Sequence, residues 1–129
     1  MTLRFNTITE RKSEKMNKIY GYCRVSTQTQ SIDRQIRNIK QIYPEAIIIQ
    51  EAYTGTKIEG RKQFQRLLKA VKDGDTIIFD SVSRMSRNAD DGIRLYFDLY
   101  NKNVNLVFLK EHYIDTDIYR QNTQQKIQL

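Results

Sequence analysis

The sequence predicts an α/β fold, a three-layer sandwich around a mostly parallel central sheet. Two observations carry this prediction. Short β-branched and aromatic segments alternate with amphipathic segments at short intervals between residues 18 and 109, which implies parallel strands with helices covering both faces. The chain has 129 residues, one ordinary domain's worth, long enough to bury a core without disulfides.

Residues 1–16 are rich in Thr, Lys and Glu without periodicity and read as a mobile leader. Residues 18–25 (KIYGYCRV) read as the first strand. Residues 31–43 place Ile32, Ile36, Ile39 and Tyr43 at helical spacing, with Ser31 as a cap and Pro44 as the stop. Residues 46–50 contain Ile47, Ile48 and Ile49, an apolar run suited to a buried strand. A polar loop over 51–60 precedes an amphipathic helix over 61–72, with Phe64, Leu67, Leu68 and Val71 on one face. Gly74, between Asp73 and Asp75, is placed to end that helix. Residues 76–80 are a third strand and 81–88 a second polar loop. Asn88 caps the next helix, Asp90 and Asp91 favour its first turn, and Ile93, Phe97 and Tyr100 are expected to face the core up to about Asn101. Residues 104–109 are a fourth strand. The pattern fades after Ile114, and 117–129 is a Gln-rich polar segment.

Composition narrows the function. Lys plus Arg number 22 against 15 Asp plus Glu, a net charge of +7 that suits a polyanionic partner. Cys23 is the only cysteine and His112 the only histidine, so an intrachain disulfide, a Cys-rich zinc site and a multi-histidine metal site have no raw material. No apolar run approaches a membrane span and residues 1–15 lack a signal-peptide core, so a cytoplasmic protein is expected.

Sites in open α/β sheets lie beyond the carboxyl ends of strands. Three segments there carry unusual chemistry. Arg24 and Ser26 alternate on one face of a strand end. A loop with Tyr53, Thr54 and Gly55 runs to Arg61, and Ser83-Arg84-Met85-Ser86-Arg87-Asn88 sets two arginines three apart. Together they put Arg24, Arg61, Arg84 and Arg87 near one hydroxyl, that of Ser26. A guanidinium fork suits phosphate oxygens and stays charged. A serine among arginines is what metal-free phosphoryl transfer needs: the hydroxyl attacks phosphorus while the cations neutralise the growing charge. Metal-assisted cleavage would want clustered carboxylates, and the acidic residues here are scattered. Each motif alone has a plainer reading. Arg-x-Ser at a strand end is usually surface, Arg-x-x-Arg a solvated or phosphate-positioning face, Cys23 a small core residue, and most of the tyrosines core or interface.

In conjunction and in this order, Tyr22-Cys23-Arg24-Val25-Ser26-Thr27, then Gln30 and Gln35, Thr54-Gly55 with Arg61, and Ser83 to Asn88 resemble the catalytic domain of the serine site-specific recombinases. That family includes resolvases, DNA invertases and large serine integrases. The resemblance covers residues 18–116 and implies a catalytic domain over 17–116. It implies that Ser26 is the nucleophile, forming a 5′-phosphoserine link to double-stranded DNA, with Arg24, Arg61, Arg84 and Arg87 as active-site arginines and Gln30, Gln35 and Glu51 in support. No metal, ATP or other cofactor, no membrane and no small-molecule substrate is implied. The implied assembly is a homodimer that synapses into a tetramer for strand exchange. Two departures stand out. Ser83 occupies a position where many small resolvases carry aspartate. The family also continues into a long dimerisation helix and a separate DNA-binding domain, of which 117–129 matches only the start of the helix. The chain thus looks like the catalytic part of a longer protein or the product of a truncated gene. The alternative reading is a non-catalytic oligomerisation or interfering module that binds full-length recombinase or DNA. A weaker one is a phosphate-binding α/β regulatory domain.

Overall fold

A computed structural model of the chain describes residues 16–26, 32–53 and 58–128. Four strands, β1 (Ile19–Val25), β2 (Ile47–Ala52), β3 (Thr76–Phe79) and β4 (Asn105–Phe108), form one sheet in the order β2-β1-β3-β4, and every neighbouring pair is parallel. Between them run α1 (Asp33–Ile42), α2 (Lys62–Ala70), a single helical turn α3 (Val82–Met85) and α4 (Ala89–Asn101). The helix α5 (Thr116–Gln128) follows β4. The fold is the expected α/β class. Its order reverses at β1, because β2 lies on one side of β1 and β3 on the other, which opens a crevice at the carboxyl ends of β1 and β3.

Strand alternation divides the core in two. Tyr20, Tyr22, Ile77, Phe79, Leu106 and Phe108 pack on one face with Phe64 and Leu67 of α2 and Leu99 of α4. Cys23, Ile78 and Val107 face the other way, against Ile36 and Ile39 of α1. The aromatic centre is closely fitted: the Tyr22 and Phe64 rings lie 4.5 Å apart and Phe79 stacks on Phe108 at 5.3 Å. Gly21 lets α1 approach the sheet, since a Cβ there would meet Ile39 and Ile48 side-chain carbons at 3.0 Å. The outer edge of β4 is closed by side chains. The Leu106 N–H donates to Thr116 Oγ1 at 2.9 Å and the Phe108 N–H to Asp115 Oδ1 at 2.8 Å.

Several expectations need correction. The Ile47–Ile49 run lies on an edge strand, not a buried one, and Ile47 is 45% exposed. β2 continues through Glu51 and Ala52, so Glu51 belongs to a strand rather than a loop. The α2 helix stops at Ala70, and Val71 is already extended. Gly74 does not cap it but sits in the turn before β3 with φ +91°, a conformation glycine adopts freely. The core stripe of α4 is Leu95, Tyr96 and Leu99, whereas Ile93 is 56% and Phe97 38% exposed. Those two side chains border an apolar cleft between α4 and the start of α5 instead of meeting the sheet. Asn88 does cap α4, its side-chain oxygen accepting from the N–H groups of Asp90 and Asp91. Residues 117–128 are helical. The leader expected over 1–16 lies, apart from Met16, outside the described residues, as does the Ser31 cap.

Candidate active site

Each part of the site is placed by a different element. β1 delivers Arg24, which is 2% exposed, and half-buried Ser26 directly follows its last residue, Val25. The Arg24 side chain reaches across the crevice, with Nη2 donating to the Ser83 carbonyl at 2.9 Å and Nη1 to the Tyr53 carbonyl at 3.4 Å. Its backbone is held by Gln35 of α1, whose amide bonds both the Arg24 N–H and its carbonyl. Arg84, on α3, returns the contact by donating to the Arg24 carbonyl at 3.1 Å. Arg87, just beyond α3, is exposed, and its Nη2 lies 3.5 Å from Ser26 Oγ.

Arg61 immediately precedes α2 and is 3% exposed. Its Nη1 donates to the Arg84 carbonyl at 2.7 Å and its Nη2 to the Met85 carbonyl. Its guanidinium carbon lies 4.4 Å from the centre of the Phe64 ring and 5.5 Å from that of Tyr22. Glu51 collects three donors: the Tyr22 hydroxyl at 2.9 Å, the Phe64 N–H at 2.9 Å and the Gln63 N–H at 3.1 Å. It thereby satisfies the first turn of α2 and fixes the start of the helix next to Arg61. Ser83 is exposed and its hydroxyl meets that of Ser81 at 2.8 Å.

Burial, then the positive fields of Arg61 and Arg87, with a smaller one from Arg84, lower the Arg24 pKa from its ordinary value. Buried Arg24 Nε and Arg84 Nε have no hydrogen-bond partner among the described residues. The clustered guanidinium charge suits an anion bearing several oxygens. Among the described residues no three His, Cys, Asp or Glu side chains group to hold a metal ion, and no helix is long and apolar enough to cross a membrane.

The structure therefore brings Ser26, Arg24, Arg61, Arg84, Arg87, Gln35, Glu51 and Ser83 into one neighbourhood. Gln30, Thr54 and Gly55 lie outside the described residues. Tyr53 joins the site through its carbonyl, which accepts from Arg24 Nη1. Cys23 is a core residue, its thiol pushed up to about 12 by burial and the nearby Asp80 charge. His112 bonds Asp115 at 2.7 Å. The sequence reading gave Tyr22, which opens the first motif, no role beyond core or interface. The signal was present, because Tyr22 lies two residues before Arg24 and so on the same strand face.

Fold and site together define an α/β domain that presents a strand-end serine to clustered arginines. The chain belongs to the family described as Resolvase, N terminal domain, whose model matches residues 19–128. It is 32% identical over 99 residues to a resolvase of Clostridium perfringens, covering 76% of this chain and 52% of that protein. It is 33% identical over 96 residues to the transposon Tn21 resolvase of Escherichia coli, covering 71% and 47%. Among solved structures it resembles a resolvase family site-specific recombinase from Streptococcus pneumoniae, with a TM-score of 0.60, 28% identity and 87% of each chain covered. The chain spans about half the length of the curated relatives it matches.

Proposed function

We propose that this chain is the catalytic domain of a site-specific serine recombinase, with residues 17–116 as the catalytic unit and 117–129 as the start of a dimerisation helix. Its substrate is double-stranded DNA. The observation that carries this reading is the approach of the Arg87 guanidinium to the Ser26 hydroxyl at 3.5 Å, beside Arg24 and Arg84. In the proposed step, Ser26 Oγ attacks a backbone phosphorus. The Oγ–P bond forms, the bond from phosphorus to the 3′-oxygen breaks, the serine proton leaves to solvent, and the 3′-oxygen takes a proton from solvent to depart as a hydroxyl. Reversal with a different 3′-hydroxyl rejoins the strand, and the phosphoserine ester conserves the bond energy, so ATP is not needed.

In this reading Arg87 and Arg84 stabilise charge on the non-bridging oxygens. Arg24 supplies field from beneath the site. Arg61, whose terminal nitrogens bond the carbonyls of Arg84 and Met85, holds the turn that presents Arg84. Gln35, Glu51 and Ser83 support these groups, and the working assembly is a dimer that pairs into a tetramer.

The test is a trap for the covalent intermediate. The protein is incubated, with chelator present, with duplex DNA from the boundaries of the genetic element that encodes it, then digested and examined by mass spectrometry. A nucleotide on Ser26 that persists in chelator and vanishes in Ser26→Ala supports the reading. Cleavage retained by Ser26→Ala refutes it.

A further inference from the structure

The turn that carries Arg84 is four residues long and cannot fix its own orientation. Two backbone bonds tie it to its ends, Arg84 N–H to the Ser81 carbonyl at 3.0 Å and Ser86 N–H to the Val82 carbonyl at 3.1 Å. Its far end is held by Arg61 and its middle by Arg24, through the carbonyls described above. Its near end is held from behind by two residues that follow β4. The Lys110 N–H donates to the Asp80 carbonyl at 3.1 Å, and Lys110 Nζ lies 3.3 Å from the buried Asp80 carboxylate, which also accepts from Asn38 of α1. Glu111 Oε1 then accepts from the N–H of Val82, the first residue of the turn, at 2.9 Å.

We infer that Glu111 is a positioning residue for the reaction: its carboxylate bonds the leading N–H of the α3 turn and so sets the direction in which Arg84 is presented to the Ser26 phosphate site. The inference rests on the proposed phosphoryl-transfer reading. The three carbonyl contacts restrain the turn from the site side, where Arg24 and Arg61 lie. Met85 and Val82 seat the turn on the core, and its first N–H, which the helix itself does not satisfy, is left to Glu111 on the side opposite those contacts. Glu111 touches no reacting atom. Its own backbone is fixed, its N–H donating to the Phe108 carbonyl at 3.1 Å and its carbonyl accepting from Ile114 at 3.0 Å. The carboxylate therefore projects from a rigid base at the end of β4, as a positioning group must.

The experiment compares wild type, Glu111→Ala and Glu111→Gln. Glutamine keeps a carbonyl oxygen to accept from Val82 and loses only the charge. In the first arm, the Nε–H resonance of Arg84 and the amide exchange of Val82 and Arg84 are followed by NMR. Glu111→Ala is expected to shift the Arg84 resonance and speed exchange of the turn by about tenfold while Ile77 and Ile78 of β3 are unchanged, with Glu111→Gln close to wild type. In the second arm, single-turnover formation of the Ser26 adduct is measured against DNA concentration. The maximal rate is expected to fall about 10- to 100-fold in Glu111→Ala, with the half-saturating DNA concentration unmoved and glutamine restoring the rate. An unshifted Arg84 resonance in Glu111→Ala, or a glutamine variant as impaired as alanine, overturns the inference. If wild type forms no adduct, it is the recombinase reading that fails, and the first arm still decides whether Glu111 orients the turn.

Discussion

The side-chain amide of Gln35 holds both backbone groups of Arg24: the Arg24 N–H donates to Oε1 at 3.0 Å and Nε2 donates to the Arg24 carbonyl at 2.8 Å. The last pairing of β1 with β3 is Tyr22 with Phe79, so Arg24 extends beyond the neighbouring strand. Gln35 continues the ladder where β3 has ended, which keeps the strand straight up to Ser26.

Gln35→Ala is expected to leave the buried Arg24 N–H unpaired, with its carbonyl held by Arg84 alone. At roughly 1–3 kcal/mol for an unsatisfied buried group, the loss of stability is about 1–3 kcal/mol, read from urea unfolding midpoints at constant slope. A loss below about 0.5 kcal/mol would mean that water replaces the amide oxygen.

Glu51 joins the site to the α2 helix. Glu51→Gln is expected to cost about 1–3 kcal/mol, because one amide oxygen cannot replace the two carboxylate oxygens that take the Tyr22 hydroxyl and the Gln63 and Phe64 N–H groups. The effect is local. Hydrogen exchange at Gln63 and Phe64 should accelerate before that of β3, and equal acceleration throughout the chain would show that Glu51 acts on global stability alone.

The alternation of elements was legible because periodicity reports burial directly: Ile36 and Ile39 in α1, and Phe64 and Leu67 in α2, face the core as their spacing requires. The placement of β2 at an edge was not, since three consecutive isoleucines read alike in a central strand and in an edge strand. The α4 stripe was misread for a related reason. Ile93 and Phe97 are apolar at helical spacing, yet they border the cleft beside α5, and periodicity does not say which apolar surface a helix face meets. At the site, Ser26 and the arginines stood out by residue type. Glu111 did not, because it acts through a single backbone N–H 29 residues away in sequence, and such a contact has no local pattern.

Alkaline pH should destabilise the fold. Burial pushes the Cys23 thiol from 9.0 up to about 12 and the Tyr96 hydroxyl from 10.0 up to about 12, and it raises Tyr20, Tyr22 and Tyr43 as well. The folded state thus keeps protons that the unfolded chain releases from about pH 9 upward. Stability contributed by these groups is intact below pH 9 and is lost as pH rises toward 12 and beyond. Denaturant midpoints measured between pH 8 and pH 11 should fall steadily. Tyr96→Phe should be less stable at pH 8, having lost the 2.6 Å bond to the Ile114 carbonyl, but should show a shallower decline. An unchanged slope would exclude Tyr96 from the alkaline transition.

Arg24 and Arg87 stand at the candidate site in opposite environments, and their variants should separate folding from the proposed chemistry. Arg24 is buried, and its guanidinium links the carbonyls of Tyr53 and Ser83 across the crevice. Arg24→Ala removes both links and is expected to cost about 2–4 kcal/mol in urea unfolding, in addition to abolishing the Ser26 adduct. Arg24→Lys has a single donor head in place of a fork and should recover less than half of the stability. Arg87 is exposed and is joined to the site through Ser26 Oγ at 3.5 Å. Arg87→Ala should therefore unfold within about 0.5 kcal/mol of wild type while lowering adduct formation by about 100-fold or more, the scale expected when a preorganised cation is removed from a phosphoryl transition state. The two assays are run on the same preparations. A destabilised but reactive Arg24→Ala, or an Arg87→Ala that reacts at the wild-type rate, would each remove that arginine from the proposed chemistry, and the contrast in stability would remain as a measure of how deeply each is built into the fold.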